Sequence, residues 1–128
     1  LFNRAATPKV IKQILKKAYP SGKNIDDELI EILYKPSQRE NSKEAFRGFI
    51  NLFDDYLATD LFDQINVPIH LIWGEKDPWE SLSEAVYWKN NFENIKSLEV
   101  INGAGHCPHD ENPEETNQLI RRFIQEIK

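Results

Sequence analysis

Seven consecutive residues, Val67 to Trp73 (VPIHLIW), form an apolar run that does not alternate between apolar and polar positions. A strand with one wet face alternates. A run without alternation is expected where both faces of a sheet are covered, which is the situation of parallel sheets. GEKDP, Gly74 to Pro78, breaks the run, and Ser81 then caps a helical pattern carrying Leu82, Ala85, Val86, Trp88 and Phe92. SLEVIN, Ser97 to Asn102, reads as a second strand. Beyond it, Asn112-Pro113-Glu114-Glu115 combines a cap, a proline at the first helical position and a glutamate three residues after the cap. Leu119, Ile120, Phe123, Ile124 and Ile127 follow at helical spacing and are expected to face the sheet. The order is β-α-β-α, and a right-handed crossover makes its two strands parallel.

Residues 1–60 read differently, as helices alone. Thr7-Pro8 opens the first, with Val10, Ile11, Ile14, Leu15 and Ala18 on one face before YPSG stops it at Tyr19 to Gly22. Asp26 and Asp27 open a second, with Leu29, Ile30 and Leu33, ended by Pro36. Ser42 starts a third, where Phe46, Phe49, Ile50, Phe53 and Leu57 make a wide apolar stripe. The three helices are expected at about 8–18, 26–35 and 42–57, with ends good to two to four residues. Aromatics at this spacing are most simply the face of a core; the functional alternative is that Phe46, Phe49 and Phe53 line a ligand pocket. The chain is therefore α/β in class, with a helical segment over 1–60 and a β-α-β-α segment over 61–128.

Two strands of such apolar texture demand neighbouring strands and cover on both faces. The sequence also contains no methionine. Both points lead to the expectation that the 128 residues are a segment of a longer protein. Taken alone, the chain would expose strand edges and is expected to self-associate as a non-catalytic module. Its net charge of −5, with no basic stripe, argues against nucleic acid as a partner, because phosphate contacts dominate that affinity. No apolar run approaches the roughly eighteen residues of a membrane span, and no secretory leader is expected. The single cysteine excludes an internal disulfide and suits a reducing, cytoplasmic setting.

Chemistry concentrates where the two strands end. Parallel strands share one C-terminal edge, and ligand sites of open α/β sheets lie there. GEKDP leaves the first strand and GAGHCPH, Gly103 to His109, leaves the second. Adjacent strands lie only about 4.8 Å apart, so Asp77 and His106 are expected to meet although the crossover separates them in sequence. A carboxylate accepting the imidazole Nδ1–H fixes its tautomer and leaves Nε2 free as a general base. Glycines beside the histidine allow a tight turn.

VPIHLIWGEKDPW followed by LEVINGAGHCPHDENPEETNQLI resembles the C-terminal part of α/β-hydrolase-fold enzymes. In that family the triad runs nucleophile, acid, histidine in chain order, with the acid after a strand in a WGxxDP-like pattern and the histidine in GxGHxxxxExP. The resemblance implies the triad acid at Asp77 and the triad histidine at His106. It implies that the helical segment is a cap, similar to those of a plastid and cyanobacterial subgroup with pheophytinase-like and haloalkane-dehalogenase-like members. It further implies hydrolysis of a small-molecule ester with a lipophilic group, or of an alkyl halide if the nucleophile is an aspartate, without a cofactor. Trp79, beside the acid, and Phe46, Phe49 and Phe53 on the cap are the implied substrate contacts. No GxSxG elbow, no aspartate equivalent and no HG-type oxyanion loop occurs in the sequence, so the chain alone is expected to be inactive.

Competing readings of the same loop are weaker. His106, His109 and Asp110 have a spacing open to zinc, but no fourth ligand or cysteine pair accompanies them, and no metal is expected. Cys107 adjoins His106, yet consecutive loop residues rarely aim side chains at each other, so a buried, inert thiol is expected. Asp110, Glu111, Glu114 and Glu115 suit a helix N-terminus, where the macrodipole favours negative charge. Glu75 is the weaker candidate for the acid.

Overall fold

The computed structural model describes residues 6–52 and 57–126. Among these residues four helices come first: α1 (Pro8–Ala18), α2 (Asp27–Ser37), α3 (Ser42–Asn51) and the short α4 (Ala58–Phe62). Then follow β1 (Ile69–Gly74), α5 (Leu82–Asn91), β2 (Ile95–Ile101), the single turn α6 (Pro108–Glu111) and α7 (Pro113–Glu126). The starts obey local chemistry. Thr7 Oγ1 accepts the Val10 N–H at 3.3 Å, Asp26 Oδ1 that of Leu29 at 2.8 Å, and Ser81 Oγ that of Glu84 at 3.3 Å.

Several boundaries differ from the sequence expectation. Helix α2 runs through Pro36 to Ser37 instead of stopping before the proline. The third helix ends at Asn51, with α4 formed separately downstream; the stripe residue Phe53 lies outside the described residues. A further turn of helix, α6, sits inside the histidine loop because Pro108 supplies the preset φ of a helix start.

Strands β1 and β2 are parallel, pairing His70 with Ser97, Leu71 with Leu98, Trp73 with Val100 and Gly74 with Ile101. His70 and Trp73 are an odd number of residues apart and so face opposite sides. The His70 ring stacks on Phe123 of α7 at 4.4 Å, while Trp73 meets Trp88 of α5 edge-on at 5.6 Å. The two helices thus cover the two faces, and Phe62 of α4 joins the α5 side against Trp88 and Phe92. Only a narrow stripe is buried. Phe123 and Ala85 are inside, whereas Ile120 and Ile124, expected to face the sheet, are exposed, as is Val86; Ile127, expected on the same face, lies outside the described residues. Two strands are too narrow to cover a full helix face.

A second core of Leu15, Ala18, Tyr19 and Ile30 joins α1 to α2, with Cys107 of the histidine loop packed against it. No residue of α3 is buried. Phe46 and Phe49, 50% and 57% exposed, are therefore not the core face that their spacing suggested.

The strand ends are packed backbone to backbone. A Cβ on Gly74 would stand 1.9 Å from the Gly105 carbonyl oxygen and 2.7 Å from that of Ala104. Lys76 N–H donates to Ala104 O at 2.8 Å, and Gly103 N–H donates to Glu75 Oε2 at 2.8 Å. Gly74→Ala is expected to force the loops apart and destabilise the fold by about 1–3 kcal/mol, seen as a lower denaturation midpoint. Gly48→Ala is the control. Its Cβ meets nothing within 4 Å, so in mid-helix it should stabilise slightly.

Candidate active site

Asp77 leaves β1 on a tight turn, its N–H donating to Gly74 O at 3.3 Å. His106 leaves β2 three residues after Gly103, whose φ of +74° suits a residue without Cβ. The turns bring the two side chains together, with His106 Nδ1 2.9 Å from Asp77 Oδ2. The other carboxylate oxygen, Oδ1, accepts the N–H groups of Trp79 at 2.9 Å and Glu80 at 3.1 Å. Both oxygens are therefore committed, and the carboxylate cannot swing away from the ring. Trp79 closes one side, its ring meeting the imidazole edge-on at 4.8 Å.

Burial is uneven across the pair. The Asp77 side chain is 8% accessible and that of His106 is 41%. Burial is the largest influence on the Asp77 carboxyl and works against its charge. The Trp79 and Glu80 N–H groups and His106 together outweigh it, and Asp77 titrates below the usual carboxylate range. An ionised acceptor on Nδ1 holds the imidazole in the tautomer whose Nε2 can take a proton. The arrangement can handle a proton, and the sequence carries no GxSxG elbow to go with it.

The remaining candidates fall elsewhere. Glu75 is occupied by the Gly103 N–H and does not reach His106. Phe46 and Phe49 line an apolar groove of about 890 Å³ with Ile11, Ile14, Leu33 and Ile50. Neither Asp77 nor His106 lines that groove, so the structure does not bring the phenylalanines to the pair. Phe53 lies outside the described residues. Cys107 is half-buried, against the α1–α2 core. Asp110 is used apart from His106, accepting the Tyr19 hydroxyl at 2.8 Å and an Asn24 amide N–H at 3.3 Å. Burial, then the hydrogen bond to Asp110 and the neighbouring Cys107, raise the Tyr19 pKa, so its hydroxyl stays a donor. Among the described residues no three His, Cys, Asp or Glu side chains converge.

Glu111 is the residue whose partners sequence reasoning missed. Grouped there with the acids of a helix start, it is 3% exposed. Its Oε1 accepts the Ser21 hydroxyl at 2.5 Å and the Ser21 N–H at 3.2 Å, and its Oε2 the Gly105 N–H at 2.5 Å. The signal was present as the glutamate of GxGHxxxxExP, a fixed five residues after the histidine.

No family model matches the chain. The whole chain aligns with chloroplastic pheophytinase of Arabidopsis thaliana at 28% identity, over 27% of that protein. Monoacylglycerol lipase ABHD6 of Mus musculus aligns with 95% of the chain at 24% identity, over 37% of its own length. The chain thus spans between 27% and 37% of the length of these curated relatives. A serine hydrolase involved in carbazole degradation superposes with a TM-score of 0.81 at 18% identity, covering 94% of this chain and 48% of that one.

Proposed function

The chain is part of an α/β-hydrolase-fold protein, and from that premise we propose that it supplies the acid and the histidine of a nucleophile–acid–histidine triad. The observation that carries the reading is the 2.9 Å contact between His106 Nδ1 and an Asp77 carboxylate already fixed by two backbone N–H groups. The nucleophile is a serine on a segment outside these 128 residues. His106 Nε2 takes the serine proton as the oxygen attacks an ester carbonyl, then returns it to the leaving alcohol. A water molecule repeats the cycle on the acyl-enzyme. Asp77 holds the ring and stabilises the imidazolium without itself taking the proton.

Residues 1–60 act as the cap over this site, and the substrate is an ester with a lipophilic group. The lipase name of one relative supports that preference. The test uses the chain together with its nucleophile-bearing segment. p-Nitrophenyl esters of increasing acyl length should be cleaved with rising kcat/KM, and a serine-directed fluorophosphonate should label the protein covalently. Halide release from haloalkanes with no ester cleavage and no labelling would replace serine chemistry by an aspartate nucleophile.

A further inference from the structure

The seam between the helical half and the histidine loop contains more than the acid–histidine pair requires. Glu111 ends α6 and is buried, though a carboxylate is costly to bury unless its oxygens are satisfied. A carboxylate only accepts, and all three of its partners donate. Oε1 holds the N–H and hydroxyl of Ser21, just past α1, and Oε2 holds the N–H of Gly105, immediately before His106. The next amide along, that of His106 itself, donates to Ala18 O at 2.8 Å. No smaller or neutral side chain does the same: aspartate is a methylene short, and glutamine turns an N–H toward a donor.

The fit at Gly105 is equally close. A Cβ there would stand 2.1 Å from Ala18 O and 2.4 Å from Pro20 Cδ. Asp110 adds a parallel tie, receiving Tyr19 Oη–H at 2.8 Å and, on its carbonyl, an Asn24 Nδ2–H at 2.6 Å. The stretch from Ala18 to Asn24 is therefore stitched to the stretch from Gly105 to Glu111. Helix α3, by contrast, has no buried residue.

We propose that Glu111 is a positioning residue, fixing the backbone of His106 relative to the end of α1 so that the imidazole meets Asp77. The inference rests on His106 being the general base. Through Glu111, a displacement of Ser21 moves the histidine, and the α1 end of the helical half is a fixed base rather than a swinging lid.

The experiment compares Glu111→Gln and Ser21→Ala with the unaltered protein, as the chain plus its nucleophile-bearing segment. It reads ester kcat and KM, the melting temperature, and the ¹⁵N shifts of the His106 ring, which report the Nδ1–H bond to Asp77. Glu111→Gln should lower kcat about 10- to 100-fold with KM within twofold, and move the His106 Nδ1 signal. Ser21→Ala leaves the carboxylate in place and should shift the same signal in the same direction with a smaller fall in kcat. Should Glu111→Gln fail to fold, Ser21→Ala alone decides the matter. Unchanged kcat and ring signals in the folded variants would overturn the positioning role while leaving the triad reading intact. A loss of activity that tracks melting with unmoved ring signals would overturn it as well. If His106→Ala left hydrolysis unchanged, the triad reading would fall, and this role with it.

Discussion

Ester hydrolysis by the protein carrying His106→Ala is expected to be slower in kcat by about 10⁶-fold. The magnitude follows from what the side chain does. Without an acceptor at Nε2 the nucleophile's proton has no destination, and neither acylation nor deacylation keeps its base. The fold should survive the change. The ring is 41% exposed, and the backbone bond from His106 N–H to Ala18 O does not involve the side chain. Steady-state kinetics on a p-nitrophenyl ester, with a denaturation curve on the same preparation, checks both halves. Retention of more than about a hundredth of the wild-type kcat would remove His106 from the proton path, since about a 10²-fold loss is the least a general base contributes.

Asp77→Asn should cost about 10⁴-fold in kcat, for a reason visible in the hydrogen bonds. Oδ1 accepts two backbone N–H groups, from Trp79 and Glu80, so an asparagine must place its carbonyl there. Its amide NH2 then faces His106 Nδ1 and donates to it. The imidazole is driven into the other tautomer, with the proton on Nε2, and cannot accept a nucleophile's proton. The ring stays in place and the chemistry stops. The same substitution carries a pH signature. Because the folded Asp77 titrates below its ordinary value, the carboxylate stabilises the fold fully above the unfolded pKa, about 3.9. That contribution is lost as pH falls through the lower folded pKa. Wild type should therefore exceed Asp77→Asn in stability at neutral pH, and the gap should close in acid. Urea midpoints measured from neutral pH down to about 2 would show it; a gap that widens in acid would mean that Asp77 is not held ionised.

The parts legible beforehand share one property: their causes are local. Thr7, Asp26 and Ser81 cap helices through bonds spanning three residues, and the apolar texture of residues 69–73 needs only its own letters. The meeting of Asp77 and His106 was also legible, because parallel topology brings consecutive strand ends together. Helix length was less so. Pro36 lies in the last turn of α2, where its preceding residue tolerates the helix, and sequence punctuation overstated its power. The phenylalanines of α3 carried a core-like period yet line a groove, because periodicity reports an apolar face without saying what covers it.

Glu111 marks the limit most clearly. Nearby acids at a helix start have the same letters and the same spacing whether solvated or buried. What separates Glu111 from Glu114 and Glu115 is Ser21, ninety residues earlier, arriving with two donors aimed at one oxygen. From the chain of letters alone came the order of elements, the parallel pair and the meeting of Asp77 with His106. Only the tertiary structure decided which carboxylate faces water and which ties two distant segments, because burial and partnership are set by groups far away along the chain.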